Sequence, residues 1–507
     1  MPAWAWGVLR RDYDLSGFGV RRIGVWGGRG VPVNRGDVAV GWRAGALLVA
    51  AVMAVPLLPA APASAVHGAV PGDFNGDGYR DVVLPAPGAN VAGRQGAGAV
   101  VVLFGSASGV STTRRQTITQ NTAGVPGTAE ANDGFGGSTA TADLNRDGYA
   151  DLVVSSPYED LPSGRDAGTV TVLWGGRNGL TTGTDLAPPS GARKYFGLDV
   201  AAISTGSGVK TQVVVSGYEA SVQFGGPFTR SGTFGQSVED RDTGSVGTVA
   251  LGDFNGDTHP DPVAVTVRES GLSGGTVYIN PTDRRPQSAG NGLIAAAGDL
   301  NGDGYGDLVV GDPDEPETTG GDGVMGGRVL VWYGSAQGID QDAKPVQLTQ
   351  NTSGVPGSSE KEDGFGSGLA VADLNSDSLA DIVIGTPTED TGKTNAGQVT
   401  VIPGRRTGAL GSDAYSFTQD TASIPGGGES DDMFGTTVAV GDINKDGRPE
   451  LFVSAADENN STGAVWILPG SPRGATAAGS RMITAPSVGL TQQDSTLLGG
   501  NGLLGTV

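Results

Sequence analysis

One eighteen-residue pattern occurs three times without a gap, at 119–136 (TQNTAGVPGTAEANDGFG), 349–366 (TQNTSGVPGSSEKEDGFG) and 418–435 (TQDTASIPGGGESDDMFG). Self-similarity at this spacing means that one supersecondary unit is stacked many times, each unit burying its apolar faces against the next. Eight residues beyond each Phe-Gly lies an acidic loop. The six acidic loops read DFNGDGYRD, DLNRDGYAD, DFNGDTHPD, DLNGDGYGD, DLNSDSLAD and DINKDGRPE, and their starts are 70, 110, 46, 74 and 69 residues apart. The long interval holds two units. Phe196-Gly197 opens normally and 212–217 (QVVVSG) is a normal second strand, but 204–211 (STGSGVKT) stands where the acidic loop should be. The count is therefore seven units, six with a loop, and blade three (about 196–230) is the one without.

After each loop comes a β-branched apolar run, then a further strand such as 100–104, 169–174, 329–333 or 464–468. Short strands at even spacing, four to a unit, predict an all-β fold, a seven-bladed β-propeller over 66–507 with about 63 residues per blade. With 88 Gly and 29 Pro among 507 residues, a helical bundle is excluded, and zero Cys removes disulfides and thiolate chemistry together.

The stretch AGALLVAAVMAVPLLPAAPASA follows Arg43 and ends in Ala63-Ser64-Ala65. A charged flank, an apolar centre broken by Pro56, Pro59 and Pro62, and a small-residue end predict a secretory signal peptide cleaved after Ala65, with no membrane span in the mature chain. Residues 1–65 form an N-terminal extension plus this signal, and the true start is expected near Val38 or Val40. The net charge is −22; removing residues 1–65 takes away seven Arg and three Asp, leaving 25 basic and 51 acidic residues and a net −26. Such a surface excludes nucleic acid as a partner and suits cations.

In D-x-N-x-D-G-x-x-D, the oxygens at positions 1, 3 and 5 turn toward one centre, the carbonyl at 7 adds a ligand, and the acid at 9 can bind through both oxygens. All-oxygen coordination of this kind suits Ca²⁺. The predicted ligands are Asp73, Asn75, Asp77, Tyr79 and Asp81; Asp143, Asn145, Asp147, Tyr149 and Asp151; Asp253, Asn255, Asp257, His259 and Asp261; Asp299, Asn301, Asp303, Tyr305 and Asp307; Asp373, Asn375, Asp377, Leu379 and Asp381; and Asp442, Asn444, Asp446, Arg448 and Glu450. About six Ca²⁺ sites are expected. An EF-hand is excluded by the Val-rich flanks and the missing Glu at position 12. Metal-free Asx turns would use the same residues, but six of them would leave uncompensated carboxylate clusters. Gly at position 6 supplies a positive φ, which Thr258 and Ser378 must adopt under strain.

Phe-Gly, a calcium loop and a Gly-Ala-Pro-like turn in succession resemble the FG-GAP repeat family, found in integrin α chains and in secreted bacterial proteins. The resemblance covers 66–507 and implies a calcium-loaded propeller that is a binding or adhesion module, secreted and extracellular or associated with the cell surface, with an extracellular protein or glycan as ligand. Phe-Gly is kept at Phe135, Phe196, Phe365 and Phe434; Ala65-Val66, Ser245-Val246 and Asn291-Gly292 stand in its place elsewhere.

No catalysis is expected. After residue 65 the histidines are His67 and His259, which leaves little for a Ser-His-Asp site, and Gly271-Leu-Ser273-Gly-Gly275 lacks the strand-to-helix setting of a nucleophile elbow. The alternatives are a carbohydrate-active or phosphodiester-cleaving hydrolase, or an inert envelope protein. Glu130, Glu360 and Glu429 recur at one repeat position, which favours a structural or rim role over one active site. Trp174, Trp332 and Trp466 are expected in the packing between blades. The connectors 161–167, 315–326 and 388–396 are the candidate ligand surface, the chain is expected to be monomeric, and 503–507 is expected to dock on blade one and close the ring.

Overall fold

The computed structural model describes residues 70–188, 194–204, 211–268, 272–316, 321–491 and 495–502. The expected signal segment, the body of the 204–211 connection and the closing strand at 503–507 lie outside the described residues.

Seven antiparallel sheets follow one another along the chain. Blade one consists of strands Val70–Gly72, Asp81–Ala86, Ala99–Leu103 and Arg115–Ile118, hydrogen-bonded in that order. Blades two, three, five and six repeat this plan, beginning at Thr139–Ala142, Val200–Ser204, Ile294–Gly298 and Gly368–Ala372. Blade seven runs from Phe434–Gly441 to an outer strand at Arg481–Thr484, with a two-residue hairpin (Gly470–Ser471 with Gly474–Ala475) inserted before it. Blade four is the departure from the predicted four strands: it has Val246–Gly252, Asp261–Thr266 and Val277–Ile279 only. A 3-10 turn at Pro281–Asp283 follows, and Pro281 and Pro286 lack the N–H groups that an outer ladder needs. Blade three keeps all four strands although it has no acidic loop.

Second and third strands read as unbroken Val, Ile and Leu runs because both of their faces are covered. Asp81–Ala86 and Ala99–Leu103 are buried at every position, whereas the outer strand Arg115–Ile118 buries only Ile118. The apolar side chains form seven clusters among the described residues, one at each junction between neighbouring blades; Phe74, Val83, Phe135, Leu152 and Leu173, for example, join blade one to blade two. The last cluster joins blade seven to blade one through Val82, Leu84, Phe452, Ile467 and Leu498. The ring is closed. Trp174, Trp332 and Trp466 sit in these junctions, 1% exposed or less, with each indole N–H satisfied, by Thr184 Oγ1, the Ala343 carbonyl and the Pro425 carbonyl.

The Phe-Gly pair is the joint. Phe135 N–H donates to the Ala97 carbonyl of blade one at 3.0 Å, while Gly136 N–H donates to the Ser155 carbonyl of its own blade at 2.9 Å. Gly98 must be glycine because a Cβ there would stand 2.3 Å from the Phe135 carbonyl oxygen. Phe196, Phe365 and Phe434 make the same backbone bond to Ala167, Gly326 and Ala396. At blade one the joint is made by Leu498-Gly499: Leu498 N–H donates to the Thr462 carbonyl at 2.9 Å and Gly499 N–H to the Pro85 carbonyl at 2.8 Å. At blade five it is Gly292-Leu293, bonded to Gly275 and Gly311, one residue on from the Asn291-Gly292 pair expected from the sequence. The buried polar cluster at that junction centres on Arg328, which reaches Asp312 Oδ2 at 2.8 Å and Asn291 Oδ1 at 3.0 Å, while Asn291 Nδ2 donates to Ser273 Oγ at 2.8 Å. Ser273 is fully buried and bonded to Asp312, a structural position for the serine of the G-x-S-x-G match.

Candidate functional site

The six acidic loops link first to second strands at one end of the barrel of blades, and they share one backbone path. Position 6 has a positive φ in all six, at Gly78, Gly148, Thr258, Gly304, Ser378 and Gly447. Position 4 does so as well, at Gly76, Arg146, Gly256, Gly302, Ser376 and Lys445, although only half of these are glycines. The side chains explain why. The position-1 carboxylate accepts the position-6 N–H, at 2.9 Å for Asp73–Gly78 and 2.8 Å for Asp373–Ser378. Asn75 Oδ1 accepts the Asp77 N–H at 2.8 Å, and Asp77 Oδ1 accepts the Tyr79 N–H at 3.0 Å, with the same pairs in the other five loops. Local side-chain to backbone bonds of this type fix αL residues against their intrinsic preference.

Position 9 does more than was read from spacing. Asp81 accepts the Phe74 N–H on Oδ2 at 3.0 Å and the Gly105 N–H, from the end of the third strand, on Oδ1 at 2.9 Å. Asp151, Asp307 and Asp381 make the equivalent pairs with Gly175, Gly334 and Gly404. Asp261 and Glu450 instead bind the side-chain amides of Asn280 and Asn444. In five of the loops the acid at 9 therefore ties the loop to the third strand or its end, whereas Glu450 stays within its own loop. The acid at 9 is also buried, and burial pushes Asp81, Asp151, Asp307, Asp381 and Glu450 up to about 7, with neighbouring loop carboxylates adding to the shift. Asp261 moves in the same direction for the same reason. Among the described residues no three acidic or imidazole side chains close on a single point. The donor set is nonetheless all oxygen and rich in negative charge, with an Arg or Lys near some loops: Arg230 pairs with Asp147 at 2.7 Å and lies over the Trp174 ring.

The connectors between second and third strands lie at the other end. Glu130, Glu360 and Glu429 are exposed there, their backbone N–H groups donating to Asp133, Asp363 and Asp432. Beside each, a buried glutamine reaches the next blade: Gln120 Nε2 to Glu159 at 2.6 Å, Gln350 to Glu389 at 2.6 Å and Gln419 to Glu458 at 2.8 Å. The sequence reading missed an aromatic ladder on this face. Tyr158 and Tyr218 hold the same place on blades two and three, their N–H groups donating to the Asp133 and Lys194 carbonyls. Tyr195 stands between them, edge to face with both, at ring separations of 5.7 and 6.3 Å. Tyr158 is 36% exposed and Tyr218 44%. The other units have Gly88, Arg268, Asp314, Thr388 and Asp457 here, so the ladder breaks the repeat.

Five segments of the chain, 65–103, 135–173, 291–332, 365–402 and 434–468, match the FG-GAP repeat family. Blades three and four fall outside these segments. Over 167 residues the chain is 33% identical to the phosphatidylinositol-glycan-specific phospholipase D of Mus musculus, covering 32% of this chain and 18% of that one. Over 144 residues it is 33% identical to integrin alpha-7 of Rattus norvegicus, covering 27% and 11%. The chain thus spans less than a fifth of either relative. An exotype rhamnogalacturonan lyase structure aligns over 83% of this chain and 74% of its own at 13% identity and a TM-score of 0.40, too distant to argue from. With its repeated Phe-Gly joints and its seven sheets in a closed ring, the chain carries five FG-GAP repeats.

Proposed function

We propose that this propeller is a calcium-loaded, non-catalytic binding module that works outside the cytoplasm as a monomer and takes a protein ligand on its connector face at blades two and three. The observation that carries the binding surface is the Tyr158–Tyr195–Tyr218 ladder: solvent-facing tyrosines on rigid blade connectors are the residues that anchor protein partners, and here they depart from the repeat together. Calcium is supported by six loops with the same acid spacing, the same αL positions and only oxygen donors. Asp, Asn and the position-7 carbonyl would hold the ion, which would neutralise carboxylates that otherwise repel one another. Among the described residues the one imidazole is His259, which is exposed and bound to its own loop, so the general base of a serine hydrolase has no candidate there.

Calorimetric titration of Ca²⁺ into chelator-treated protein should count about six sites, or four to five if the Thr258 and Ser378 loops are weak, with a marked fall in Tm on chelation. An unchanged melting curve in excess chelator sinks the calcium reading. For the ligand face, a protein and glycan array is probed with the calcium-loaded protein and with a Tyr158→Ala/Tyr218→Ala variant. Protein hits lost in the variant at unchanged Tm support the surface; protein hits that survive it, or the absence of any protein hit, count against it.

A further inference from the structure

At the loop end of the molecule, beside the blade that has no acidic loop, lies a cavity of about 340 Å³. Its wall follows from register. Gln212, Gly225 and Gln236 are directly opposite one another on the second, third and outer strands of blade three, and Val214, Gln223 and Val238 form the next row. Side chains two apart on a strand share a face, so Gln212, Gln223 and Gln236 all project from the same side of the sheet, as the lining of the cavity confirms. Gly225, between Gln212 and Gln236, lets the Gln236 side chain fold over the strand, its Cγ 3.1 Å from where a Cβ would stand. The facing wall is His259 and Pro260 of blade four, which has no outer strand to cover this part of its neighbour.

The chemistry of the wall is unusual for this protein. In a chain of net charge −22, none of the described lining residues is Asp, Glu, Lys or Arg. Three primary amides each offer a donor and an acceptor. Gln223 Nε2 is buried and has no hydrogen-bond partner within the protein. Val238, 43% exposed, adds an apolar patch at the edge. An unpaired buried N–H costs stability unless something accepts from it, and the described wall offers no carboxylate, ammonium or guanidinium with which to select an ion. Groups that donate and accept at once, attached to an otherwise apolar ring, fit it. We infer that this cavity is a binding site for a neutral sugar, with the amides of Gln212, Gln223 and Gln236 holding ring hydroxyls and Val238 meeting a C–H face. Two strand steps separate Gln212 from Gln236, about 10 Å, the length of a disaccharide. The site is separate from the tyrosine ladder.

The test uses the full chain and saturation-transfer NMR, followed by calorimetry, with cellobiose, maltose, lactose and N,N′-diacetylchitobiose, and with digalacturonate as a charged comparison. At least one neutral disaccharide should bind, and digalacturonate should bind at least tenfold more weakly. Gln223→Met keeps the size of the side chain and removes the amide, and should weaken binding at least tenfold. Gly225→Val displaces the Gln236 side chain that lies over it and should abolish binding. Melting curves confirm that both variants are folded, and Gln236→Ala serves if either is not. No binding of any neutral disaccharide at millimolar concentration, equal binding of digalacturonate, or unchanged affinity in folded variants overturns the inference.

Discussion

The backbone N–H of Gly499 donates to the carbonyl of Pro85 at 2.8 Å, joining a segment late in the sequence to the second strand of the first blade. Gly499 has φ +99° and Gly463, ahead of it on blade seven, packs against Leu498, which repeats the relation of Gly136 and Gly98 to Phe135. Leu498-Gly499 is thus the missing Phe-Gly of blade one.

Gly499→Val should cost about 2–4 kcal/mol. A Cβ there would stand 2.6 Å from Val465 Cγ2 and 2.7 Å from Ser454 Cβ, in addition to the strain of positive φ. Gly408→Val has a similar φ, +93°, but meets nothing within 4 Å, so it should cost only the backbone strain, about 1–2 kcal/mol. Urea unfolding of the pair separates the joint from the strain; equal losses would refute the closure.

Thr258→Gly and Ser378→Gly should each stabilise the protein by up to about 1 kcal/mol, because φ of +66° and +70° costs a side-chain-bearing residue more than it costs glycine. The N–H of each still bonds to Asp253 or Asp373, so the loop path is kept. Thermal unfolding in excess chelator reads this without contribution from metal.

The position-6 glycines and the carboxylate spacing were legible in the sequence because each has a single stereochemical cause. Seven units, the loopless third blade and the buried tryptophans followed from the repeat alone. The αL residues at position 4 were not legible: Arg146 and Lys445 carry no backbone signature, and they are forced there by hydrogen bonds from both sides. The resemblance of 503–507 to Phe434–Val438 points to a closing strand outside the described residues, while the joint at Leu498-Gly499 was not legible because leucine replaces the aromatic ring. The tyrosine ladder joins residues far apart in the chain, and no local pattern could announce it.

Arg328→Met should be strongly destabilising, by about 3–5 kcal/mol, because it strands the carboxylate of Asp312 in the interior. Burial already pushes Asp312 up to about 6, against the pull of Arg328. The double variant Arg328→Met/Asp312→Leu should recover much of the loss. A double-mutant cycle by chemical denaturation checks this, and purely additive effects would count against a coupled pair.

Burial pushes Glu159 and Glu458 up to about 7 from 4.5. Between these values the folded protein holds protons that the unfolded chain releases, so this contribution stabilises at low pH and is lost as pH rises through about 7. Glu159→Gln, which resembles the protonated side chain, should therefore stabilise by roughly 1–2 kcal/mol at pH 8 and change little at pH 5. Unfolding at both values checks the sign, and a larger gain at pH 5 would reverse it.

In mechanical terms the Leu498-Gly499 joint is a clasp. Tension applied through residues 495–502 falls first on four hydrogen bonds, Leu497 to Ser461, Leu498 to Thr462, Gly499 to Pro85 and Thr437 Oγ1 to the Gly499 carbonyl, and on one leucine in the junction between blades seven and one. The other Phe-Gly joints lie within continuous chain and carry no such load until the clasp has opened. A pull on this segment would therefore unfasten the ring at a defined seam, leaving blades two to six stacked, and would turn a closed disc into an open stack with two newly exposed faces.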